Sequence, residues 1–427
     1  MREQIQKFIF GNDDCIEKKA VFWNMLFSVL SALQSAIMIM LVTRVDGTEN
    51  AGILSIAYAS AYLMYTVGTY GVRNFHATDS RNMYTYKDYK KVRLLSCGVM
   101  MICSVAYCLS KAYEGYKLSI VMLVCLLKLE EAFEDLYHGE LQRAGRLDVA
   151  GRLGTIRLGI SYIVFGAVLI IRRDLIEALV CVIIVGLAIV LLTRSVANSF
   201  RITNINEKSK FNFMKLLMAC FPLFVMSFLS IYISNSPKYA IDLYLSEKEQ
   251  AYYAIISMPV FTINLLSSII YRPKLLYMAE LWNLNDKDTF RKIIWSQIGN
   301  IFLISIVAMG GGLTIGMRVL ELIYGVSLNS LKKEFAVLLI GGGVVAIYNL
   351  LSACLTIIRK QVFMLIISIL VMVLATVISN PIVQYAGLTG ASYLYLILMM
   401  GEMISIFLIL VVYLYRKNQC NAVNDLQ

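Results

Sequence analysis

Residues 128 to 148 read KLEEAFEDLYHGELQRAGRLD and crowd Lys128, Glu130, Glu131, Glu134, Asp135, His138 and Glu140 into one short run. On a helix turning 100° per residue, Lys128, Asp135, Gln142, Glu131, His138, Glu134 and Glu130 fall within an arc of roughly 160°. Lys128 then reaches Glu131 at i+3 and Glu134 reaches His138 at i+4, whereas Glu130 with Glu134 and Glu131 with Asp135 are like-charged neighbours. Such a face carries surplus negative charge, which cations from other helices, a bound ion or a proton must balance. Lys128, Glu131, Glu134, Asp135 and His138 are therefore the candidates for cavity charge or ion coupling, with H+ or Na+ as the coupling ion.

The elements that position this run are set by hydropathy. The chain has 427 residues of which only 16% are charged, against roughly 25% in a soluble globule, and a mean hydropathy of +0.70. Runs of about 20 apolar residues suffice to cross a bilayer as helix. Twelve recur, near 20-43, 51-72, 93-110, 118-142, 153-171, 176-193, 215-236, 251-271, 293-317, 335-358, 361-383 and 390-415. The predicted fold is all-α and polytopic, and the loops are too short to hide a soluble catalytic domain. The first apolar run is too long for the core of a cleavable signal peptide and reads as a retained helix.

Basic residues orient the spans. With the N-terminus inside, 28 of the 39 lysines and arginines fall on the inner side and ten on the outer, leaving Lys128 within the fourth span. The positive-inside bias thus predicts a multi-pass protein of the cytoplasmic membrane with both termini cytoplasmic. The net charge of +11 is topogenic, facing anionic lipid, and does not imply nucleic acid. Nine cysteines lie mostly in apolar runs, no C-x-x-C pair occurs and only two histidines are present, so neither disulfides nor a metal centre is expected.

The polar segment 194-214 separates six spans from six, giving lobes at 1-193 and 215-427 joined by a cytoplasmic linker. Each half starts on the inner side, so the two are expected to be related by a pseudo-twofold axis along the membrane normal. ENAGILSIAYASAYLMYTVGTYGVR ends at Arg73 and EQAYYAIISMPVFTINLLSSIIYR at Arg272. Arg44 with Asp46 and Lys238 with Asp242 set a cation and an acid at the outer end of the preceding span in each half. Pro222 and Pro259 favour kinks in the seventh and eighth spans. The triplets Gly310-Gly311-Gly312 and Gly341-Gly342-Gly343 allow the ninth and tenth spans to approach closely.

The crossing between Lys117 and Arg143 has only ten apolar residues before Lys128, which lies about 15 Å from the outer boundary, near the bilayer centre. Five or six charges facing lipid, at roughly 2.5 to 3.5 kcal/mol each, are prohibitive. Three readings stay open. The helix ends near Lys128, or its charges form a structural salt-bridge network, or they line a transport cavity, in which case neutralising Glu131, Glu134 and Asp135 impairs transport more than folding.

EDLYHGELQRAGRLDVAGRL, NSPKYAIDLYLSEKEQAYY, the YRP turn and the opening KKAVFWNMLFSVLSALQSAIMIMLVTR resemble the polysaccharide-biosynthesis flippases of the multidrug/oligosaccharidyl-lipid/polysaccharide exporter superfamily. The resemblance covers essentially the whole chain through diffuse motifs. It implies a V-shaped pair of six-helix lobes around a cationic cavity, and alternating-access movement of undecaprenyl-diphosphate-linked oligosaccharide between leaflets. The basic residues it implies for the anionic headgroup are Arg73 and Arg272, with Arg44 and Lys238 at the outer ends. An acidic fourth span departs from a simply cationic cavity.

The expected partners are a polyprenyl-diphosphate-linked glycan, membrane lipid and glycan polymerase or glycosyltransferase enzymes; the expected state is a monomer without cofactor. The alternative is an ion-coupled small-molecule or drug exporter of the same superfamily, with the acidic run as its pocket. An enzyme is disfavoured, because the longest outer loop, near 236-250, holds no catalytic histidine-acid motif and His138 is the lone imaginable base.

Overall fold

The computed structural model describes residues 16–78, 84–200 and 213–415. Among them there is helix and no strand. The order is α1 Ile16–Val45, α2 Thr48–Thr69, α3 Val72–Thr78, α4 Tyr86–Ser110, α5 Gly115–Arg143, α6 Leu147–Arg172 and α7 Leu175–Ser199. It continues with α8 Phe213–Tyr244, α9 Glu247–Tyr271, α10 Leu275–Asn283, α11 Lys287–Gly311, α12 Met317–Tyr324, α13 Lys332–Ile357 and α14 Gln361–Tyr415.

Side chains mark the helix starts. Asp88 and Thr85 form a reciprocal capping box at α4, Thr85 N donating to Asp88 Oδ2 at 2.9 Å and Asp88 N to Thr85 Oγ1 at 3.3 Å, which satisfies two amides that lack helical partners. Ser246 and Glu249 repeat the device at α9, with distances of 2.9 and 3.3 Å. Asp174 accepts from Glu177 N at the start of α7, and Asp286 from Thr289 N at the start of α11.

Among the described residues, ten helical segments are long and apolar enough to cross a membrane. Helix α5 adds another: it runs 29 residues, so it is long enough, and only its charges depress its hydropathy. Within α14 the backbone breaks at Gly387, φ 57° and ψ −139°, a conformation open to glycine, so its 55 residues hold the eleventh and twelfth spans. The expected twelve spans are thus present. The ninth span is longer than expected. A π-helical turn, Gly312–Gly316, carries it from α11 into α12.

The described chain forms two compact units. One comprises the described residues up to Tyr232 with Leu245–Ala254 and Ile323–Gly325; the other comprises Ile233–Tyr244, Ile255–Leu322 and the described residues from Val326 onward. Most of the expected linker lies outside the described residues, as do the terminal segments expected to be cytoplasmic; its first part is the end of α7. The repeated sequence pattern has a local structural echo. In each half the second span is followed by a short helix, α3 after Tyr70-Gly71 and α10 after the 3-10 turn Arg272–Lys274.

In the second unit small residues decide helix approach. A Cβ on Gly312 would sit 2.8 Å from Leu339 Cδ1, and one on Gly343 would sit 2.5 Å from Ser305 Oγ, so the π turn and α11 both approach α13 at a glycine. Gly341 instead seats the Tyr395 ring of α14, and Gly342 faces Val260 of α9. Helices α8 and α9 continue through Pro222 and Pro259.

Candidate functional site

Helix α5 is continuous from Gly115 to Arg143, which removes the reading that it ends near Lys128. It packs against α2, α4, α6 and α7 of the first unit. Its charged arc turns into that unit, and the neighbouring helices supply partners along it.

Near the middle, Lys128 is fully buried. Its Nζ donates to Glu131 Oε2 at 2.7 Å and to Gln34 Oε1 of α1 at 2.6 Å, while Gln34 Nε2 donates to Glu131 Oε1 at 2.9 Å. The ammonium also lies over the ring of Tyr62 at 4.1 Å, with the Tyr58 ring at 5.6 Å, a placement the aromatic quadrupole favours. The lysine and its i+3 acid therefore form a closed three-residue ring with one glutamine.

One turn on, Arg157 of α6 donates through Nε to Glu134 Oε2 at 2.8 Å and approaches Glu131 Oε1 at 3.7 Å. His138 Nε2 lies 3.8 Å from Glu134 Oε1, and the imidazole meets the Phe27 ring edge-on. Gly154 makes this packing feasible. A Cβ there would fall 2.6 Å from Phe27 and 3.1 Å from His138 Cε1.

Asp135 is shared by two arginines. Arg93 of α4, with no exposed side-chain surface, donates to Oδ2 at 2.7 Å and to the Gly68 carbonyl at 2.8 Å. Arg73 of α3 reaches Oδ1 at 3.2 Å and Gln142 Oε1 at 3.4 Å, and its side chain stays 30% exposed. Toward the end of α5, His76 Nε2 and Glu140 Oε2 stand 2.8 Å apart, with the imidazole stacked on Tyr89.

The sequence leaves the acidic surplus unbalanced; the structure balances it. Against Glu131, Glu134 and Asp135 stand Lys128, Arg157, Arg93 and Arg73. The count of basic residues that orients the spans places Arg93 and Arg157 among the 28 of the inner side, yet both are buried helix residues. Helices α4 and α6 begin before the apolar runs do, so these positions lie inside the bundle. The signal was available: Arg157 falls within the span expected at 153-171 and Gln34 within 20-43, and a polar group in an apolar run needs a partner.

Glu130 stands apart from the ion pairs. It lines an apolar cavity of about 380 Å³ between α5 and α7 with Phe133, Tyr137 and Leu187. Its Oε2 is buried without a hydrogen bond and lies 2.5 Å from where a Cβ on Gly186 would stand.

The four cations expected to hold an anionic headgroup are placed as follows. Arg44 ends α1 and donates through Nε to the Ile323 carbonyl at 2.9 Å. Arg73 begins α3 beyond the 22-residue α2, about 33 Å along the helix from Arg44, so the two do not converge. Lys238 is a part-buried residue in the last turns of α8, and Arg272 is exposed in the 3-10 turn after α9, both in the second unit. Among the described residues no group of three or more histidine, cysteine or acidic side chains is placed to hold a metal.

No protein-family model and no curated relative matches the chain. Solved structures do. The lipid II flippase MurJ, in an inward closed conformation, aligns with a TM-score of 0.70 at 12% identity, covering 91% of this chain and 87% of that one. An inward-facing multidrug resistance MATE family transporter of the MOP superfamily aligns at 0.63 and 11% identity, covering 90% and 94%. The eukaryotic MATE transporter AtDTX14 aligns at 0.60 and 11% identity, covering 93% and 96%. The chain shares the fold of these structures, and the neighbours named are transporters.

Proposed function

We propose that this protein is a flippase of the cytoplasmic membrane, moving a polyprenyl-diphosphate-linked oligosaccharide of surface polysaccharide synthesis by alternating access. The observation that carries the reading is the charge balance of α5. An exporter of cationic drugs needs acids free to meet its cargo, whereas Glu131, Glu134 and Asp135 are engaged by Lys128, Arg157 and Arg93 at 2.7 to 2.8 Å. The likeness to MurJ over most of both chains supports the same reading.

Arg73 suits a diphosphate oxygen. Arg93 keeps Asp135 neutralised at 2.7 Å, so Arg73, held at 3.2 and 3.4 Å and partly exposed, can turn to an anion without stranding a buried charge. A guanidinium offers five donors in a planar fork, of which these contacts use two. Arg272, exposed in the corresponding turn of the other half, is the second nominee.

The second reading is an ion-coupled drug exporter, favoured by the likeness to MATE transporters. Expression in a bacterium lacking its own oligosaccharide flippase separates the two. Rescue of surface glycan with unchanged drug resistance supports the flippase; raised drug resistance without rescue overturns it.

A further inference from the structure

In the first unit, Glu131, Glu134 and Asp135 each meet a cation. The second unit contains a buried acid that meets none. Glu402, 3% exposed, lies on the second segment of α14. Thirteen residues follow it before the helix ends at Tyr415, a rise of about 20 Å that sets it deep within the span.

Its polar neighbours are hydroxyls. Ser368 Oγ, from the first segment of α14, donates to Glu402 Oε1 at 3.0 Å. The Tyr348 hydroxyl of α13 sits close to Ser368 and Ser352, and Tyr395 lies two turns back on the helix of Glu402. Tyr348 of α13 and Tyr395 of its own helix are the titratable groups near the carboxyl, and among the described residues no lysine, arginine or histidine forms an ion pair with it. Glu334, the other buried acid among the described residues of this unit, differs. It occupies the first turn of α13 and receives the Thr389 hydroxyl, and a helix N-terminus favours an anion.

An ionised carboxylate at mid-span without a cation costs several kcal/mol, so the neutral acid is the resting form. Ser368 occupies Oε1 and leaves Oε2 to carry the proton.

We propose that Glu402 is a proton-exchange site, an O–H bond forming on Oε2 with a proton taken from water in one state of the transport cycle and breaking to return it to water in another. The proposal rests on the transport reading above and names its coupling ion.

The test is pH-difference infrared spectroscopy of the purified full chain in lipid nanodiscs, with the proton itself as probe. A C=O component of a protonated carboxylic acid should titrate in the wild type, be lost in Glu402→Gln and persist both in Glu334→Gln and in Glu130→Gln, Glu130 being a buried acid of the first unit that stands outside its ion pairs. Glutamine still accepts from Ser368, which preserves the packing. Should Glu402→Gln fail to elute as a single species, Ser368→Ala serves instead, and the band should shift as its hydrogen bond is lost. A band indifferent to all these changes, or one abolished by Na+ at constant pH, overturns the proposal.

In proteoliposomes, an imposed pH gradient should accelerate movement of a lipid-linked oligosaccharide by the wild type and leave Glu402→Gln at its gradient-free rate. A titrating Glu402 band in a protein that moves no such lipid upholds the proton site and overturns the flippase reading alone. An equal gradient response in both proteins removes Glu402 from coupling.

Discussion

Arg157 Nε stands 2.8 Å from Glu134 Oε2, with both side chains at least 97% buried, and this contact ties the middle of α6 to the charged face of α5. The pair is separated by 23 residues in sequence, and neither charge is tolerable there without the other. Removing one partner of a buried pair costs about 3 to 5 kcal/mol, whereas removing both can be nearly neutral. Arg157→Gln should therefore lower the thermal midpoint of the detergent-solubilised protein sharply, and adding Glu134→Gln should recover a large part of the loss. Size-exclusion melting curves read both variants; additive losses would show that the pair is uncoupled.

Arg73 and Arg93 share Asp135 yet should answer substitution differently. Arg93→Ala strands a buried carboxylate and the Gly68 carbonyl, so yield and thermal stability should fall by the equivalent of about 3 kcal/mol or more. Arg73→Ala removes a longer, partly exposed contact, worth on the order of 1 kcal/mol or less. It should fold normally and lose oligosaccharide flipping. Equal stability of the two variants would contradict the assignment.

Neutralising Glu131, Glu134 and Asp135 together, as Gln, Gln and Asn, takes on a different expectation once the partners are known. Lys128, Arg93 and Arg157 would remain buried in excess. The triple variant should fail at the level of folded protein, ahead of any transport defect, and membrane abundance measured against the wild type reports it. A well-folded, abundant triple variant would show that the network contributes little to assembly.

Gly52 of α2 admits the start of α9. A Cβ there would fall 1.8 Å from the Glu247 carbonyl oxygen, and backbone cannot step aside as a side chain does. Lys117 Nζ reaches the Glu247 carboxylate at 2.5 Å beside this contact. Gly52→Ala should destabilise the protein, whereas Gly98→Ala on α4, whose Cβ would meet nothing within 4 Å, should leave the melting temperature unchanged or slightly raised through helix propensity. Similar melting curves for the two would place the start of α9 away from Gly52.

The number of spans, their approximate limits and the single charged arc of α5 were legible in the amino-acid sequence, because each depends on local quantities. A run of apolar residues sets a crossing, and a fixed turn of 100° per residue sets which side chains share a face. The continuity of α5 past Lys128 stayed open in the sequence, where only the length a crossing requires argued for it, and was decided by the structure. What balances that arc was not legible. Gln34, Arg93 and Arg157 lie 97, 42 and 23 residues from the acids they meet, and a count of cations by loop assigns the two arginines to the wrong environment. Pairing depends on which helices pack side by side, and in a bundle that is settled by small residues such as Gly154 and by the joint burial of many faces. The same limit hid Glu402. Its composition is that of any glutamate in an apolar run, and only the packing of α13 and α14 makes its neighbours hydroxyls and leaves it without a cation.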